Sequence, residues 1–311
     1  MGVSLSLSTS YLVGTGGWAY FPANEKAQLK AYSKVFNFVE VNYTFYEYPA
    51  RRTVERWKRT VPEEFTFSVR CHQDLTHRIG LRPTEEAHQI LNQMLAYCKI
   101  LRAPFLVLET PPNYKFSSES VKGAEELFTS AKLGDTRIVW ENRSPLIDEA
   151  KTLMQDLNII HSVDLSVQEP LFPSDAIYTR LFGKGKHNIY QFSDEELEEI
   201  AHKILTQKPK IAAMSYHGLR MTTDAIRFIN YLKNGEFPQI TPYTGAESAK
   251  TVLAEDARFP TSKQALIDDQ GWKVFDATKG SRIHLSEWLT QMPNKTYNNL
   301  NEVIAALEAA T

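Results

Sequence analysis

The sequence predicts an α/β protein: a single (β/α)8 TIM barrel over residues 11–240, followed by a small C-terminal α+β extension over residues 241–311. Eight short β-branched or aromatic runs occur before residue 240, and amphipathic helical patterns separate them. Eight parallel strands joined by helices favour closure into a barrel. This alternation stops after about Thr241, which is why the extension is separated from the barrel.

Each of the eight runs is short enough for one strand. In chain order they are YLVGTG, FNFVEVNYTF, FTFSVRCH, PFLVLET, RIVWENR, IIHSVD, AIYTRLFG and KIAAMSYHG. The segments between them carry apolar residues three and four positions apart, which is typical of a helix with one buried face. The first helix shows this spacing at Leu29, Tyr32, Val35 and Phe36.

Helix ends are also marked in the later part of the chain. Ser193 and Glu196 form a capping-box pattern that predicts the start of the helix after the seventh strand. Gly235 follows the eighth helix as a C-terminal cap. In the extension we expect two or three short helices around one strand, Gly271 to Asp276.

Composition excludes several classes of protein. The 311 residues include 35 basic and 37 acidic ones, a formal charge of −2, so no long-range positive field attracts nucleic acid or anionic membrane. Cys71 and Cys98 are too few for a disulfide framework. The start, MGVSLSLSTS, lacks the features of a secretory signal, and no run is long and apolar enough to span a bilayer. We therefore expect a cytoplasmic protein with no membrane partner.

Polar residues collect at the carboxyl ends of the predicted strands. In the second strand Glu40, Asn42 and Thr44 share one face by the two-residue alternation of a strand. Other strands and the loops after them supply Arg70, His72, His77, Glu109, Glu141, Arg143, Asp164, Arg180 and His217. Because barrel strands end around one crevice, we expect these groups to meet in one pocket. The alternative is a network of salt bridges that fills the end of the barrel.

This set of residues suits acid/base chemistry. Glu40 and Glu141 can divide the roles of acid and base, and His77 is the best single proton-transfer candidate, so these three form the predicted catalytic group. The predicted substrate-binding residues are Trp18, Asn42, Thr44, Tyr46, Arg70, Glu109, Arg143, Asp164, Arg180, Gly183, Lys184 and His217.

The cofactor stays unknown from the sequence. Carboxylates and imidazoles suit a divalent metal, but no HxH, HExxH or CxxC motif occurs, and three arginines weigh against one. The opening GTGG lacks the spacing of a dinucleotide fingerprint. In FGKGKHN, Gly183 and Lys184 indicate either a phosphate-binding loop or an ordinary flexible one.

A basic run, Arg51 to Arg59, also permits a nucleic-acid partner, since phosphate contacts dominate such binding. A solvated helix face explains the same residues, because Val54, Trp57 and Val61 would then face the barrel and the charges would face water.

Several phrases together resemble the family catalogued as domain of unknown function 72: GTGGWAYF, VEVNYTFYEYPARRTVERW, FTFSVRCHQDLTH, LETPP, WENR and YTRLFG. The resemblance covers about residues 11 to 230 and implies a TIM barrel with a polar cavity at the strand ends; it implies no reaction. The residues that match the family's phrases are Gly14, Gly17, Trp18, Glu40, Asn42, Thr44, Tyr46, His77, Glu141, Arg143, Arg180 and Gly183. Glu109, Arg70 and Phe182 stand where the family usually shows glutamine, lysine and histidine.

Three hypotheses about function follow. The first is an enzyme, either a hydrolase or a lyase or isomerase, that acts on a small polar substrate that is phosphorylated or contains a sugar. The second is a non-catalytic nucleic-acid-binding module that uses the Arg51 to Arg59 helix, the Lys184 loop and aromatic residues such as Trp18 and Tyr46. The third is a metal-dependent phosphoesterase of the barrel type.

Overall fold

The computed structural model describes residues 9–186 and 188–310. Over these ranges the chain has an α/β fold built on parallel sheets. It divides into two compact units, which we call the sheet unit (9–181 and 204–216) and the C-terminal unit (Phe182–Lys203 and 217–310). The segment MGVSLSLS, part of the argument against a secretory signal, and His187 of the FGKGKHN loop lie outside the described residues.

Each of the eight predicted runs contains a strand. The strands are β1 (Ser10–Thr15), β2 (Phe38–Val41), β3 (Thr66–Arg70), β4 (Phe105–Thr110), β5 (Arg137–Asn142), β6 (Ile160–Ser162), β7 (Ala176–Leu181) and β8 (Ile211–Tyr216). They pair in parallel to form a five-stranded sheet, β2-β3-β4-β5-β6, and a three-stranded sheet, β1-β8-β7. A single parallel bridge joins Val163, directly after β6, to Thr179 of β7.

The helices of the first 210 residues connect these strands. They are α1 (Gln28–Tyr32), α2 (Tyr43–Tyr46), α3 (Arg51–Thr60), a π-helical turn (Asp74–Arg78), α4 (Glu85–Leu101), α5 (Ser118–Thr129), α6 (Asp148–Asp156) and α7 (Asp194–Gln207). The predicted capping box of α7 is confirmed: the Ser193 backbone donates to Glu196 Oε2 at 3.0 Å, and the Glu196 backbone donates to Ser193 Oγ at 3.2 Å. In α1, Leu29 and Tyr32 are buried, but Val35, which follows the helix, is exposed.

The second strand is shorter than its sequence run. It ends at Val41, and Asn42 adopts helical backbone angles that begin α2. The prediction that Glu40, Asn42 and Thr44 alternate along one strand face is therefore wrong beyond Val41. Thr44 is buried, and its hydroxyl donates to the carbonyl oxygens of Val41 at 2.8 Å and Arg70 at 2.6 Å. This hydroxyl fixes the turn after β2.

The core of the sheet unit draws on both sheets. One apolar cluster packs together Phe38, Phe105, Val107, Val139, Ile160, Ala176, Tyr178 and Ala213. On β1, Gly14 lies against β2 so closely that a Cβ atom there would stand 1.9 Å from the Phe38 carbonyl oxygen. The Asn37 side chain also accepts from the Val13 backbone at 2.9 Å and donates to the Tyr11 carbonyl at 2.8 Å. The edge strands β1 and β2 of the two sheets are therefore neighbours.

The C-terminal unit contains more helices and strands than the sequence predicts. It holds α8 (Met221–Asn234), α9 (Ala246–Leu253), β9 (Thr261–Ser262), α10 (Lys263–Gln270), β10 (Val274–Thr278), β11 (Ser281–His284), α11 (Leu285–Leu289), β12 (Thr296–Tyr297) and α12 (Leu300–Ala310). Gly235 ends α8 in the left-handed conformation, as predicted. The one expected strand is part of an antiparallel pair, β10 with β11, and β9 pairs with β12. Among the described residues, no helix has the length and apolarity needed to cross a membrane.

Gly14→Ala tests the close approach of β1 to β2. The new methyl group would collide with backbone atoms that cannot move independently of the strand, so we expect the free energy of unfolding to fall by about 2 kcal/mol or more. The shift of the urea midpoint at constant slope measures the loss. Gly280→Ala is the matched control, since a Cβ atom there meets nothing within 4 Å. Equal midpoints for the two variants would refute the contact.

Candidate active site

A buried guanidinium is the centre of the polar cluster in the sheet unit. Arg180, near the end of β7, is 2% exposed and contacts three glutamates. It lies 3.1 Å from Glu40 Oε1 and 2.7 Å from Glu109 Oε2, and it donates a short hydrogen bond to Glu141 Oε2. These four residues come from four strands, since β2, β4, β5 and β7 each supply one of them.

Two further arginines complete the cluster. Arg70 donates to Glu109 Oε2 at 2.5 Å, and its guanidinium lies 3.6 Å from the centre of the Phe45 ring. Arg143 lies 3.1 Å from Glu109 Oε1 and donates to Glu141 Oε1 at 3.1 Å. Three arginines thus face three glutamates, and the formal charges cancel. We call these six residues the ion-pair network.

The register of the strands explains why these groups meet. Glu109 of β4 is paired with Glu141 of β5, and Glu141 is paired with Ser162 of β6. Side chains at paired positions of parallel strands point to the same face, so all three project from one level of the five-stranded sheet. The structure brings six of the predicted polar groups together in the ion-pair network, and it joins them by the salt bridges of the alternative interpretation.

Two network neighbours were not among the predicted site residues. The Tyr178 hydroxyl donates to Glu40 Oε2 at 2.8 Å and lies 2.7 Å from Ser68 Oγ. Because the Tyr178 hydroxyl donates its proton to Glu40, the Ser68 hydroxyl must donate to the Tyr178 oxygen. All three side chains are fully buried. The alternation of β7 places Tyr178 on the same face as Arg180, which was the available signal.

The arginines hold their carboxylate partners in the charged form. Burial raises the pKa of Glu109, but Arg180, Arg70 and Arg143 outweigh it, so that pKa lies below its ordinary value. The same balance, with Arg180 as the main opposing charge, lowers the pKa of Glu141. Burial alone would lower the pKa of Arg180, yet Glu141, Glu40 and Glu109 raise it well above normal. Glu109 and Glu141 are therefore carboxylates at neutral pH.

His77 lies on the π-helical turn after β3, with its imidazole exposed. Its Nδ1 atom is 2.9 Å from the Thr76 hydroxyl, and its ring packs edge to face on Phe45 at 5.3 Å. Burial is the main cause that lowers its pKa, with Arg70 and Arg143 adding to it and Glu109 opposing. His77 and Arg70 both pack on the Phe45 ring, so His77 lies beside the network.

Other predicted residues of the sheet unit have distinct positions. Asn42 accepts a short hydrogen bond from Arg70 and so extends the network. Tyr46 is exposed and packs on Phe45, whereas Trp18 packs on Trp57 with ring centres 5.3 Å apart. Asp164 accepts from the backbone and hydroxyl of Ser166 at 2.9 and 2.6 Å, which stabilises the turn after β6.

Gly183, Lys184 and His217 belong to the C-terminal unit, so they are described within it. A Cβ atom at Gly183 would stand 2.1 Å from the Tyr190 ring, and Lys184 pairs with Glu196 at 3.1 Å. His217 stacks on Phe182 at 4.5 Å. Packing of the Tyr190 ring therefore accounts for a glycine at position 183, and no bound phosphate is needed to explain it.

In residues 9–186 and 188–310, no three His, Cys, Asp or Glu side chains are grouped so that they could hold a metal ion. The glutamate oxygens of the network accept from arginines instead, which is an arrangement for charge neutralisation.

Comparisons with known proteins agree on one family. The model of the family described as "Protein of unknown function DUF72" matches residues 12–240. The UPF0759 protein YunF of Bacillus subtilis (strain 168) is 27% identical, over 60% of this chain and 80% of YunF. A solved DUF72 family protein of Thermotoga maritima MSB8 (TM1631) superposes with a TM-score of 0.59 at 23% identity, covering 72% of this chain and 99% of that one. A DUF72 family protein of Enterococcus faecalis V583 (EF0366) gives 0.56 at 14% identity, over 72% of this chain and 97% of its own. These structures show a shared fold.

Arg180→Met should be strongly destabilising, because it leaves Glu40, Glu109 and Glu141 without their common partner. We expect the free energy of unfolding to fall by about 3–5 kcal/mol at pH 7. Arg78→Met, which removes an exposed arginine paired with Glu86, should cost much less, because water screens an exposed ion pair. Urea unfolding of both variants measures the difference, and equal losses would contradict the network.

The loss at Arg180 should also depend on pH. In the wild type, the lowered pKa values of Glu109 and Glu141 stabilise the fold above pH 4.5, and this contribution disappears as the pH falls below that value. Without Arg180 both glutamates lose the largest charge that opposes burial, so this contribution should be smaller in the variant. The difference in unfolding free energy between the wild type and Arg180→Met should therefore shrink from pH 7 to pH 4. A difference that does not change with pH would contradict this role of Arg180.

A double-mutant cycle tests the hydrogen bonds from Ser68 to Tyr178 to Glu40. Tyr178→Phe and Ser68→Ala should each cost about 1–3 kcal/mol, because each leaves a buried polar atom without its partner. The double variant should cost less than the sum of the two, by about 0.5 kcal/mol or more. Strictly additive losses in urea unfolding would show that the two hydroxyls act independently.

Proposed function

The chain belongs to the DUF72 family, whose description states no reaction, and from the geometry of its ion-pair network we propose that it is an enzyme that removes a proton from its substrate. The substrate is a small polar molecule with a hydroxyl and an anionic group, such as a sugar phosphate. The observation that carries the proposal is that His77 and Glu141 both have lowered pKa values beside the network and are deprotonated at neutral pH.

The proposed site requires the eight strands to surround one interior. Three observations support closure of the two sheets into a barrel: β1 touches β2 at Gly14, Val163 bridges to Thr179, and one apolar cluster takes residues from both sheets. In such a barrel the strand ends supply the catalytic groups, and the ion-pair network lies there. We propose the barrel boundary near residue 240, where the family match also ends.

Proton abstraction suits these groups better than protonation of a leaving group. A general acid needs a carboxyl group whose pKa is raised towards the working pH. Glu109 and Glu141 have the opposite shift, and His77 is mainly neutral at pH 7. Of the network carboxylates, Glu141 is the most exposed at 13%, so we assign His77 and Glu141 as bases. This favours a lyase or isomerase over a hydrolase.

The arginines supply an anion site and stabilise negative charge that develops in the reaction. Arg143 is the most accessible of them, with 39% of its side chain exposed. Within the described residues, Arg70 Nε and Ser162 Oγ are buried atoms with no hydrogen-bond partner. Because such atoms are costly to bury, a bound phosphate, carboxylate or enolate oxygen would stabilise them.

Glu40 has a different assignment from the one expected. It is completely buried and accepts from Tyr178 and Arg180, so it cannot meet a substrate in this arrangement. We assign it as a positioning residue that holds Arg180, while Arg180 in turn holds Glu141.

Hydrogen–deuterium exchange tests proton abstraction directly. The protein is incubated in D2O with a panel of hydroxy acids and sugar phosphates, and NMR follows loss of the C–H signal. For a substrate that exchanges, His77→Asn or Glu141→Gln should slow the rate about 10²- to 10⁴-fold. His88→Asn, a histidine on α4, is the control and should keep the rate. Full exchange by both site variants would remove the assignments.

The pH dependence has a definite sign. His77 accepts a proton only when neutral, so the exchange rate should fall as the pH drops through its pKa, which lies below 6.5. A rate that rises on acidification over the same range would indicate an acid rather than a base.

A further inference from the structure

Basic and aromatic side chains occur on α2, on α3 and in the loop after β1, and the proposed reaction uses none of them. We call this region the α2–α3 surface, and it consists of Trp18, Tyr43, Arg52, Arg56, Trp57 and Arg59. The Trp57 ring lies between two others, 5.3 Å from Trp18 and 6.2 Å from Tyr43, with both pairs edge to face. Tyr43 remains 52% exposed. The Tyr43 ring therefore packs against Trp57 and still reaches solvent.

Three arginines run along the neighbouring helix. Arg52, Arg56 and Arg59 are exposed, and at 3.6 residues per turn they fall within roughly 60° of one another around α3. Among the described residues they have no ion-pair partner, whereas Arg51 is paired with Glu55 at 2.8 Å. Adjacent arginines of this stripe are separated by about one turn, roughly 5–6 Å. The whole chain has a formal charge of −2, so this concentration of positive charge is local.

A solvated helix face accounts for the arginines, but it gives no reason for the exposed ring of Tyr43, which packs on Trp57, about 100° around the same helix from Arg56. An acidic protein would satisfy the charges and leave the ring unused. Single-stranded nucleic acid uses both, since its phosphates pair with arginines and its bases stack on aromatic rings. In a duplex the bases are already stacked on each other and cannot reach the tyrosine.

We propose that the α2–α3 surface binds single-stranded nucleic acid, with phosphates on Arg52, Arg56 and Arg59 and a base stacked on Tyr43. This activity goes beyond the proposed enzyme function and does not depend on it, because none of these residues belongs to the ion-pair network. Either function could be disproved without affecting the other.

Fluorescence anisotropy with a labelled single-stranded oligonucleotide of mixed sequence, about 12 nucleotides long, tests the proposal on the full chain. The variant Arg52→Gln/Arg56→Gln/Arg59→Gln is compared with Lys99→Gln/Lys122→Gln/Lys132→Gln, which removes the same charge from exposed lysines elsewhere. The arginine variant should reduce the slope of log affinity against log salt by about 2, since each single-strand phosphate contact contributes about 0.7. The lysine variant should leave the slope unchanged.

Stacking is tested with a matched pair of tyrosines. Tyr43→Ala should weaken binding about five- to a hundredfold, the range for loss of one base stack. Tyr243→Ala is the control, because Tyr243 is also 52% exposed but belongs to the C-terminal unit. Four outcomes would overturn the proposal: no binding at about 50 mM salt with about 100 μM protein, equal slopes for the two charge variants, equal effects of the two tyrosines, or equal affinity for a duplex of the same sequence.

Discussion

The structure depends on the pairing of three glutamates, two of them buried and the third 13% exposed, with three arginines. Moving an ion out of water costs several kcal/mol even after relaxation, so the buried groups could not remain charged without partners. Arg180 makes the arrangement workable, because its planar guanidinium reaches carboxylates from three different strands at once. A lysine ammonium could not match that geometry. Contacts with the Arg180 side chain therefore help to hold β2, β4 and β5 in position relative to β7.

The same pairing determines what chemistry the site can perform. Arginines that stabilise carboxylates also remove them as proton donors, so the groups able to take part near neutral pH are bases. Positive charge that is balanced by fixed glutamates is oriented before a substrate arrives, which is the condition under which electrostatic stabilisation of a developing anion is effective. The network therefore both maintains the fold and fixes the reaction class that we propose. A salt-bridge network and an active site are not exclusive interpretations of these residues.

Much of this was predictable from the sequence. The eight strands follow from short β-branched and aromatic runs, and the two-residue alternation put Glu40, Glu109, Glu141 and Arg180 on inward faces. The end of β2 was not predictable, because Asn42 and Thr44 continue the alternation although the backbone turns helical there. The partners of each charge depend on distances across the sheet that spacing along the chain does not encode. For that reason Tyr178 and Ser68 were missed, and the complete burial of Glu40 was not predicted. For Gly183 the sequence left open a phosphate-binding loop or an ordinary flexible one, whereas in the structure a Cβ atom there would collide with the Tyr190 ring.

The central claim is that Glu109 and Glu141 stay ionised because arginines surround them. NMR of protein labelled with ¹³C at the glutamate carboxyl carbons, with Glu109→Gln and Glu141→Gln for assignment, measures each titration directly. We expect the titration midpoints of both resonances to lie below 4.5, the ordinary value for a glutamate. A midpoint above pH 4.5 for either resonance would contradict the account, because it would show that burial outweighs the arginines.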